Sequence, residues 1–282
     1  MRPLQGWATG LLLLSAVLWA EPASACPGAE APCRVADGDY YIRLPEIDPA
    51  PGPAPLVVFL HGAGGHADEV VRGGAYLDPF PDAGYAVIAP QGLTREGGRG
   101  ANWSVRDGQA YPRDDSRFVA EVIDDAVARF GLDRDRVLLA GFSRGASLVW
   151  DIACHTPSLA SAYAAISGGF WRPLPEGCEG PVRLFHTHGF TDRTVPLEGR
   201  PLRGGALAQA DIYAGLQIWR MTDGCGSRAD WQDASGPYWR KAWTACTAGT
   251  LELALHAGGH EIPAGWARMI IDWYEGRPPA MN

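Results

Sequence analysis

Short apolar runs of strand length recur along the chain, and helical patterns separate several of them. The runs are LVVFL at Leu56–Leu60, YAVIAP at 85–90, RVLLAG at 136–141, AYAAISG at 162–168 and VRLFHTHG at 182–189, with further strand candidates at 238–245 and 251–256. Because these runs carry apolar residues on both faces, they are typical of strands covered on both sides. Their alternation with helices predicts an α/β fold with a mostly parallel central sheet and helices on both faces.

Three segments carry helical patterns. In residues 116–130 the apolar side chains fall at helical spacing, with Asp115 as the predicted N-cap and Gly131 as the stop signal. Residues 145–154 and 264–274 are predicted to form further helices. The loop at 92–108 is rich in Gly and Arg and is long enough to be functional or mobile.

Length and charge limit the classes of protein to which the chain can belong. It has 282 residues, 46% of them hydrophobic, which suits one large domain with a substantial core better than two domains. The formal net charge is −8 and Lys241 is the only lysine. Since no basic cluster could follow a phosphate backbone, we do not expect a nucleic-acid partner.

The N-terminus has the pattern of a secretory signal peptide at residues 1–25. Arg2 precedes the apolar run LLLLSAVLWA at 11–20, and the small residues ASA at 23–25 form a cleavage site before Cys26. No later segment offers the ~20 consecutive apolar residues of a transmembrane helix. We expect a mature domain at 26–282 that is secreted or periplasmic. A lipid-modified Cys26 is the less favoured alternative, because Ala23 stands where a lipoprotein signal usually has Leu.

Six cysteines follow the proposed cleavage site, and an even number in an oxidising compartment favours disulfides over a metal site. They allow 15 pairings in principle. The set nearest in sequence is favoured because each bridge then closes one local loop: Cys26 with Cys33, Cys154 with Cys178, and Cys225 with Cys246.

The segment AGFSRGASLVW at 140–150 places Ser143 between two glycines, after a predicted strand and before a predicted helix. In a G-x-S-x-G turn of this kind the serine is held at the carboxyl edge of the sheet, and the glycines let the two backbones approach each other. We therefore predict that Ser143 is a nucleophile.

A serine nucleophile needs a base and an acid that orients the base. His260 lies in a Gly-rich loop after the last predicted strand, and Asp192 follows the strand at 182–189, so both can reach the same sheet edge as Ser143. Ser143, Asp192 and His260 are the predicted triad. Structural roles are expected for His155, His186 and His256, and solvated or capping roles for Asp211, Asp223 and Asp230.

The sequence LHGAGG at 60–65 is a glycine turn directly after a buried strand. Such a turn can direct a backbone N–H at a developing oxyanion, with the N–H after the nucleophile as its partner. We expect Ala63 and Arg144 to supply these groups, Gly62 and Gly64 to support the turn, and His61 to shape it without transferring protons.

Taken together, the ordered motifs LVVFLHGAGG, NWSVRDG, VIDDAVARFGLDRDRVLLAGFSRGAS, HGFTDRTVP and GGHEIP make the chain resemble a known family. It is similar to the secreted polyhydroxybutyrate depolymerase-like and feruloyl esterase-like α/β-hydrolases over most of the mature chain. The resemblance implies one α/β-hydrolase domain that cleaves carboxylic esters through an acyl-enzyme, with no metal and no organic cofactor. It also implies the bridges Cys154–Cys178 and Cys225–Cys246. Arg144 departs from the Asn-Gly that follows the serine in many members.

Substrate signals are fewer. Trp103 and Trp171 follow strand-like segments and are candidate pocket residues, which favours a flat aromatic acyl group such as ferulate. Hydroxyalkanoate oligomers and acetyl esters are alternatives, and the lack of an obvious separate binding domain favours small or oligomeric esters. A serine peptidase with the same triad and a catalytically silent binding module are the rival classes.

Overall fold

The computed structural model describes residue 26 and residues 31–45, 52–74, 76–94 and 100–277. The predicted signal peptide at 1–25 lies outside these residues. Within the described part, no helix has the length and apolar character needed to cross a membrane.

Most of the described chain is divided between strands and six helices. The strands are β1 (Cys33–Val35), β2 (Gly38–Arg43), β3 (Leu56–Leu60), β4 (Ala86–Pro90), β5 (Leu93–Thr94), β6 (Ala101–Asn102), β7 (Val137–Phe142), β8 (Ala162–Ile166), β9 (Arg183–Gly189), β10 (Arg200–Leu202), β11 (Leu207–Gln209), β12 (Trp231–Asp233), β13 (Tyr238–Trp243) and β14 (Thr250–His256). The helices are α1 (Ala67–Val71), α2 (Pro79–Asp82), α3 (Asp115–Phe130), α4 (Arg144–His155), α5 (Ile212–Thr222) and α6 (Trp266–Tyr274).

Ten of these strands form one sheet in the order β1-β2-β4-β3-β7-β8-β9-β14-β13-β12. The six strands from β4 to β14 in this order are parallel, whereas β1 and β2 at one edge and β12 and β13 at the other pair antiparallel. The mostly parallel sheet that the sequence predicts is confirmed. The sequence does not predict the antiparallel strands β1, β2 and β12 at the edges, because they are too short or too polar to stand out as buried apolar runs.

The order in which successive strands are added to the sheet reverses at β3. It passes from β3 to β4 on one side and returns to β7 on the other side of β3. The loops after β3 and β7 therefore diverge at a crevice over the carboxyl ends of the strands, which is where open α/β sheets bind their ligands.

Both faces of the sheet are buried, as the continuous apolar runs predict. In β3, Leu56, Val58 and Leu60 face the core that α3, α4 and α5 cover, while Val57 and Phe59 face the core of α1, α2 and α6. Successive strand residues point to opposite faces. Because β3 is covered on both sides, all five of its residues are apolar.

Helix α3 begins one residue earlier than predicted. Its N-cap is Asp114, whose Oδ1 accepts hydrogen bonds from the N–H groups of Ser116 and Arg117. Asp115 is instead buried, where its carboxylate accepts from the Ser104 N–H and pairs with Arg113. The predicted stop at Gly131 is confirmed by its left-handed backbone, with φ of 64°.

All six cysteines are bonded, and the three predicted pairs are confirmed: Cys26 with Cys33, Cys154 with Cys178, and Cys225 with Cys246. The second bridge joins the end of α4 to the segment before β9, and the third joins the segment after α5 to the segment after β13. The second bridge therefore ties a loop to α4, and the third ties two loops to each other.

Candidate active site

Ser143 occupies the turn between β7 and α4 and has an unusual backbone, with φ of 56° and ψ of −119°. This left-handed conformation is rare for a residue with a side chain and is typical of strained functional turns. A Cβ on Gly145 would lie 2.2 Å from the Leu60 carbonyl oxygen, so only glycine fits where α4 crosses the end of β3. The turn thus lifts Ser143 above the sheet edge.

Ser143, His260 and Asp192 form a continuous hydrogen-bonded chain. His260 Nε2 lies 2.9 Å from Ser143 Oγ, and His260 Nδ1 lies 2.8 Å from Asp192 Oδ2. A carboxylate only accepts, so Nδ1 carries the proton and Nε2 is free to accept the serine proton. The three predicted residues therefore meet in the geometry of a nucleophile, a base and an orienting acid.

Asp192 is fixed by its own loop. Its Oδ1 accepts hydrogen bonds from the N–H groups of Thr194 and Val195 at 2.8 and 2.9 Å, and its side chain is fully buried. Oδ2 is left to face His260. One oxygen therefore anchors the carboxylate and the other orients the imidazole.

Two further imidazoles, those of His186 and His188, lie behind Asp192. The sequence does not predict that they belong to the site. His188 Nε2 lies 2.8 Å from the Val195 carbonyl oxygen and 3.6 Å from Asp192 Oδ2, and His186 Nε2 lies 3.0 Å from His188 Nδ1. Because a carbonyl only accepts, His188 donates from Nε2, and His186 then donates to His188 Nδ1. Burial lowers the pKa of both imidazoles, so both are neutral at pH 7.

The turn between β7 and α4 that carries Ser143 is called the elbow below. The glycine turn after β3 lies directly against it. A Cβ on Gly62 would be 3.4 Å from Ser143 Cβ, and Ala63 lines the same cavity as Ser143 and Arg144. Among the described residues, the backbone N–H groups of Ala63 and Arg144 have no acceptor. Free backbone donors beside a nucleophile are what an oxyanion hole requires.

His61 holds this turn in place. It donates from Nδ1 to the Gly62 carbonyl at 2.7 Å and accepts at Nε2 from the Gly92 N–H at 3.1 Å. Burial lowers its pKa to about 4, so it stays neutral and keeps one tautomer. With both nitrogens engaged, His61 shapes the turn.

Trp103 does not line the pocket, contrary to the prediction. Its side chain is completely buried, its indole N–H donates to the His61 carbonyl at 2.7 Å, and its own carbonyl accepts from Arg144 Nε at 3.2 Å. A strand-like flank does not reveal on which side of the chain a large side chain lies. Trp103 acts as a brace between the glycine turn and the elbow.

The Arg144 side chain is held in the wall of the cavity. Its guanidinium donates to Asp107 Oδ2 at 2.8 Å and to the Tyr111 hydroxyl, and it lies 4.5 Å from the ring centre of Trp171. Burial raises the pKa of Asp107, but hydrogen bonds from Tyr111 and Arg144 outweigh it and give a net lowering. The departure from the family pattern at Arg144 is thus matched by a buried partner of opposite charge.

The cavity beside Ser143 has a volume of about 310 Å³. Trp171 lies in its wall, as predicted, and donates from its indole to Ser147 Oγ. The hairpin β10–β11 also contributes to the wall through Leu202, Leu207 and Gln209, and the backbone of Gln209 pairs with that of Trp171. Three-residue strands leave no periodic signal, so the sequence does not reveal this wall.

The histidines and aspartates expected to be structural all lie outside the hydrogen-bonded trio. Among them, His186 contacts His188 behind Asp192. His256 accepts at Nδ1 from the Gly258 N–H and His155 ends α4. Asp211 caps α5 by accepting from the Ala214 N–H, and Asp230 accepts from two N–H groups of a loop. Asp223 is the C-cap residue of α5, in agreement with the capping alternative, and it is buried.

Comparison with known proteins identifies relatives in sequence and in structure. The profile of a family described as "Esterase PHB depolymerase" matches residues 40–172. "Feruloyl esterase C" of Emericella nidulans is 25% identical over 210 residues, which cover 71% of this chain and 72% of that protein. "Probable feruloyl esterase C" of Aspergillus terreus is 25% identical over 233 residues, covering 79% and 76%.

Solved structures share the fold at lower identity. An acetyl xylan esterase from Aspergillus awamori aligns with a TM-score of 0.63 at 17% identity, covering 85% of this chain and 96% of that one. A Bacillus cereus carboxylesterase aligns with a TM-score of 0.58 at 14% identity, covering 86% and 95%.

Proposed function

Because the chain belongs to the polyhydroxybutyrate depolymerase-like and feruloyl esterase-like esterases of the α/β-hydrolase fold, we propose that it cleaves carboxylic esters with Ser143 as nucleophile, His260 as base and Asp192 as orienting acid. The hydrogen-bonded chain from Ser143 Oγ to Asp192 Oδ2 carries this proposal. A serine hydroxyl is a weak nucleophile until a positioned base takes its proton.

In the proposed mechanism, His260 Nε2 accepts the proton of Ser143 as Oγ attacks the ester carbonyl carbon. The imidazolium that forms is stabilised by the buried Asp192 carboxylate. The carbonyl oxygen becomes an oxyanion that accepts hydrogen bonds from the N–H groups of Ala63 and Arg144. Their lack of acceptors among the described residues supports this role.

Collapse of the tetrahedral intermediate breaks the bond to the alcohol, which leaves with the proton that His260 returns. A water molecule then gives a proton to His260 and attacks the acyl-enzyme, and a second collapse releases the acid and restores Ser143. The proposed acylation and hydrolysis steps need no metal and no organic cofactor.

We propose that the acyl group is a phenolic one such as feruloyl. The cavity, about 310 Å³, lies at the lower end of the range of roughly 300–1,000 Å³ for small-molecule pockets and exceeds the needs of an acetyl group. Trp171 offers an aromatic wall, and the side-chain amide of Gln209 offers a hydrogen-bonding group for a polar ring substituent. The names of the two feruloyl esterase relatives agree with this choice.

Hydroxyalkanoate oligomers are the second candidate substrate. The family description names a polyhydroxybutyrate depolymerase, and Arg203 lines the cavity as an exposed cation. A free oligomer carries a terminal carboxylate that a guanidinium binds well. A serine peptidase would use the same triad on amides.

The location outside the cytoplasm is likewise a proposal. Three disulfides support it, because disulfides persist mainly in oxidising compartments. The bond between Cys26 and Cys33 also occupies the sulfur that a lipoprotein would need for its lipid, which favours a protein without a lipid anchor.

The test is a set of kcat/KM values for methyl ferulate, a p-nitrophenyl acetate ester, a 3-hydroxybutyrate trimer and a feruloyl amide. We expect methyl ferulate to be the best substrate and the amide to be cleaved slowly or not at all. Trp171→Ala should lower kcat/KM for methyl ferulate about tenfold or more and leave the acetate nearly unchanged. A preference for the trimer would select the hydroxyalkanoate reading, and a preference for the amide would select the peptidase.

A further inference from the structure

A second concave surface lies at the sheet edge formed by β12, β13 and β14, beside helix α5. It encloses about 490 Å³ and is lined by Tyr213, Gln232, Trp239, Lys241 and Leu255. Trp239 lies opposite Leu255, and Lys241 lies opposite Gln232, so these residues share one face of the sheet. We call this surface the edge groove.

Exposed aromatic side chains are concentrated at the edge groove. Among the described residues, five large hydrophobic side chains are exposed, and three of them surround it: Phe190 at 57%, Tyr213 at 47% and Trp239 at 45%. Phe190 packs edge-on against Trp239, with ring centres 5.6 Å apart. Exposed apolar clusters of this kind mark binding surfaces more often than scattered single side chains do.

The polar groups of the edge groove balance in charge. Lys241 and Asp233 carry opposite charges at its rim, and Arg240 is paired with Glu252 at 2.6 Å. A nucleic acid or another polyanion would require a cationic excess, which is absent from these groups. The combination fits a neutral ligand that has both apolar faces and many hydroxyl groups.

We propose that the edge groove binds a neutral polysaccharide chain. The C–H faces of pyranose rings would stack on Trp239 and Tyr213, and ring hydroxyls would hydrogen-bond to Gln232, Asp233 and Lys241. Amphipathic aromatic rings beside polar groups suit this chemistry, whereas a bare polyester surface would call for a wholly apolar patch.

The position of Phe190 connects the edge groove to the active site. Phe190 lies two residues before Asp192, and its N–H donates to the His256 carbonyl at 2.7 Å. The aromatic surface thus begins on the loop that carries the proposed catalytic acid. The inference rests on the proposed function, because the groove would serve catalysis by keeping the ester substituents of a bound polysaccharide near the carboxyl edge of the sheet.

The experiment measures co-sedimentation of the protein with insoluble xylan, together with kcat/KM for soluble methyl ferulate. The variants are Trp239→Ala and Tyr213→Ala, and Met221→Ala is the matched control because Met221 is 71% exposed on α5 and does not line the groove. We expect retention by xylan to fall about tenfold in each groove variant. Retention of the control and turnover of methyl ferulate in all variants should match the wild type.

Equal retention of the wild type and both groove variants, or no retention of the wild type, would overturn the inference. So would stronger, Trp239-dependent retention on polyhydroxybutyrate granules, or a dimer in solution that Trp239→Ala dissociates. Absence of ester turnover in the wild type would instead refute the proposed function. The xylan measurement would still decide whether the edge groove binds a polysaccharide.

Discussion

At the scale of single residues, the position of each imidazole proton decides what the site can do. His260 must hold its proton on Nδ1 to leave Nε2 free for Ser143, and the Asp192 carboxylate imposes this tautomer. Behind it, the Val195 carbonyl imposes the tautomer of His188. In both His260 and His188, an oxygen that only accepts therefore fixes the position of the proton.

Asp192→Asn should lower kcat by about 10⁴-fold, because an amide that donates toward His260 favours the wrong tautomer. Steady-state turnover of methyl ferulate measures the loss. Far-UV circular dichroism and the melting temperature should remain close to those of the wild type, since the Asn Oδ1 still accepts from Thr194 and Val195. A variant that keeps more than a tenth of the activity would exclude Asp192 as the orienting acid.

His188 is expected to act as a positioning residue for the Asp192 loop. His188→Leu removes the hydrogen bond to the Val195 carbonyl and should lower kcat about 10- to 100-fold with little change in KM, because small misplacements of catalytic groups are costly. His188→Gln retains a donor and should recover part of the loss. The pH profile of kcat should change in His188→Leu only. A kcat within twofold of wild type would contradict this role.

At the scale of elements, the close crossing of β3, β7 and α4 determines where Ser143 lies. Gly145 approaches the end of β3, and Gly141 approaches Gly145, so that a Cβ on Gly141 would lie 2.7 Å from the Gly145 carbonyl carbon. The backbones can meet at these distances only without side chains. The elbow is therefore a packing requirement as well as a catalytic device.

Gly145→Ala should abolish activity and lower the melting temperature by several degrees, because its Cβ would lie 2.2 Å from a backbone oxygen that cannot rotate away. Gly177→Ala is the matched control, since nothing lies within 4 Å of its Cβ and its φ is not left-handed. Differential scanning calorimetry and ester turnover compare the two variants. Normal stability in Gly145→Ala would contradict a close contact between α4 and the end of β3.

The buried parallel strands could be predicted because burial on both faces leaves a continuous apolar run, and helix α3 could be predicted because burial on one face leaves apolar residues at helical spacing. The triad could be predicted because each member follows a strand at one sheet edge. The buried position of Trp103 depends on contacts with His61 and Arg144, which are distant in sequence. The strands of the hairpin β10–β11 are too short to show a periodic pattern. The imidazoles behind Asp192 contact residues only two to seven positions away, through a loop geometry that hydrophobic patterning does not reveal.

At the scale of the whole molecule, Asp223 ties together parts of the chain that meet at the end of α5. Its Oδ1 accepts from the Val182 N–H before β9, and its backbone carbonyl accepts from the Ala248 N–H before β14. Its Oδ2 is buried without a partner among the described residues. Burial accordingly raises its pKa from 3.8 to about 7.

This buried acid gives the fold a pH dependence. Between about pH 4 and pH 7 the folded protein holds a proton on Asp223 that the unfolded chain has released, so its contribution to stability falls as the pH rises. Asp223→Asn cannot ionise. Its melting temperature relative to wild type should therefore be a few degrees higher at pH 8 than at pH 5. An unchanged difference between the two pH values would contradict a raised pKa at Asp223.

Every step of the proposed catalysis depends on an activated serine at position 143. Intact mass of the unreduced protein before and after a fluorophosphonate, with Ser143→Ala alongside, tests this directly. We predict one adduct on the wild type and none on the variant, with a base mass that shows cleavage after residue 25, three disulfides and no lipid. A wild-type protein that takes up no fluorophosphonate, or a Ser143→Ala variant that is still labelled, would contradict the proposed triad.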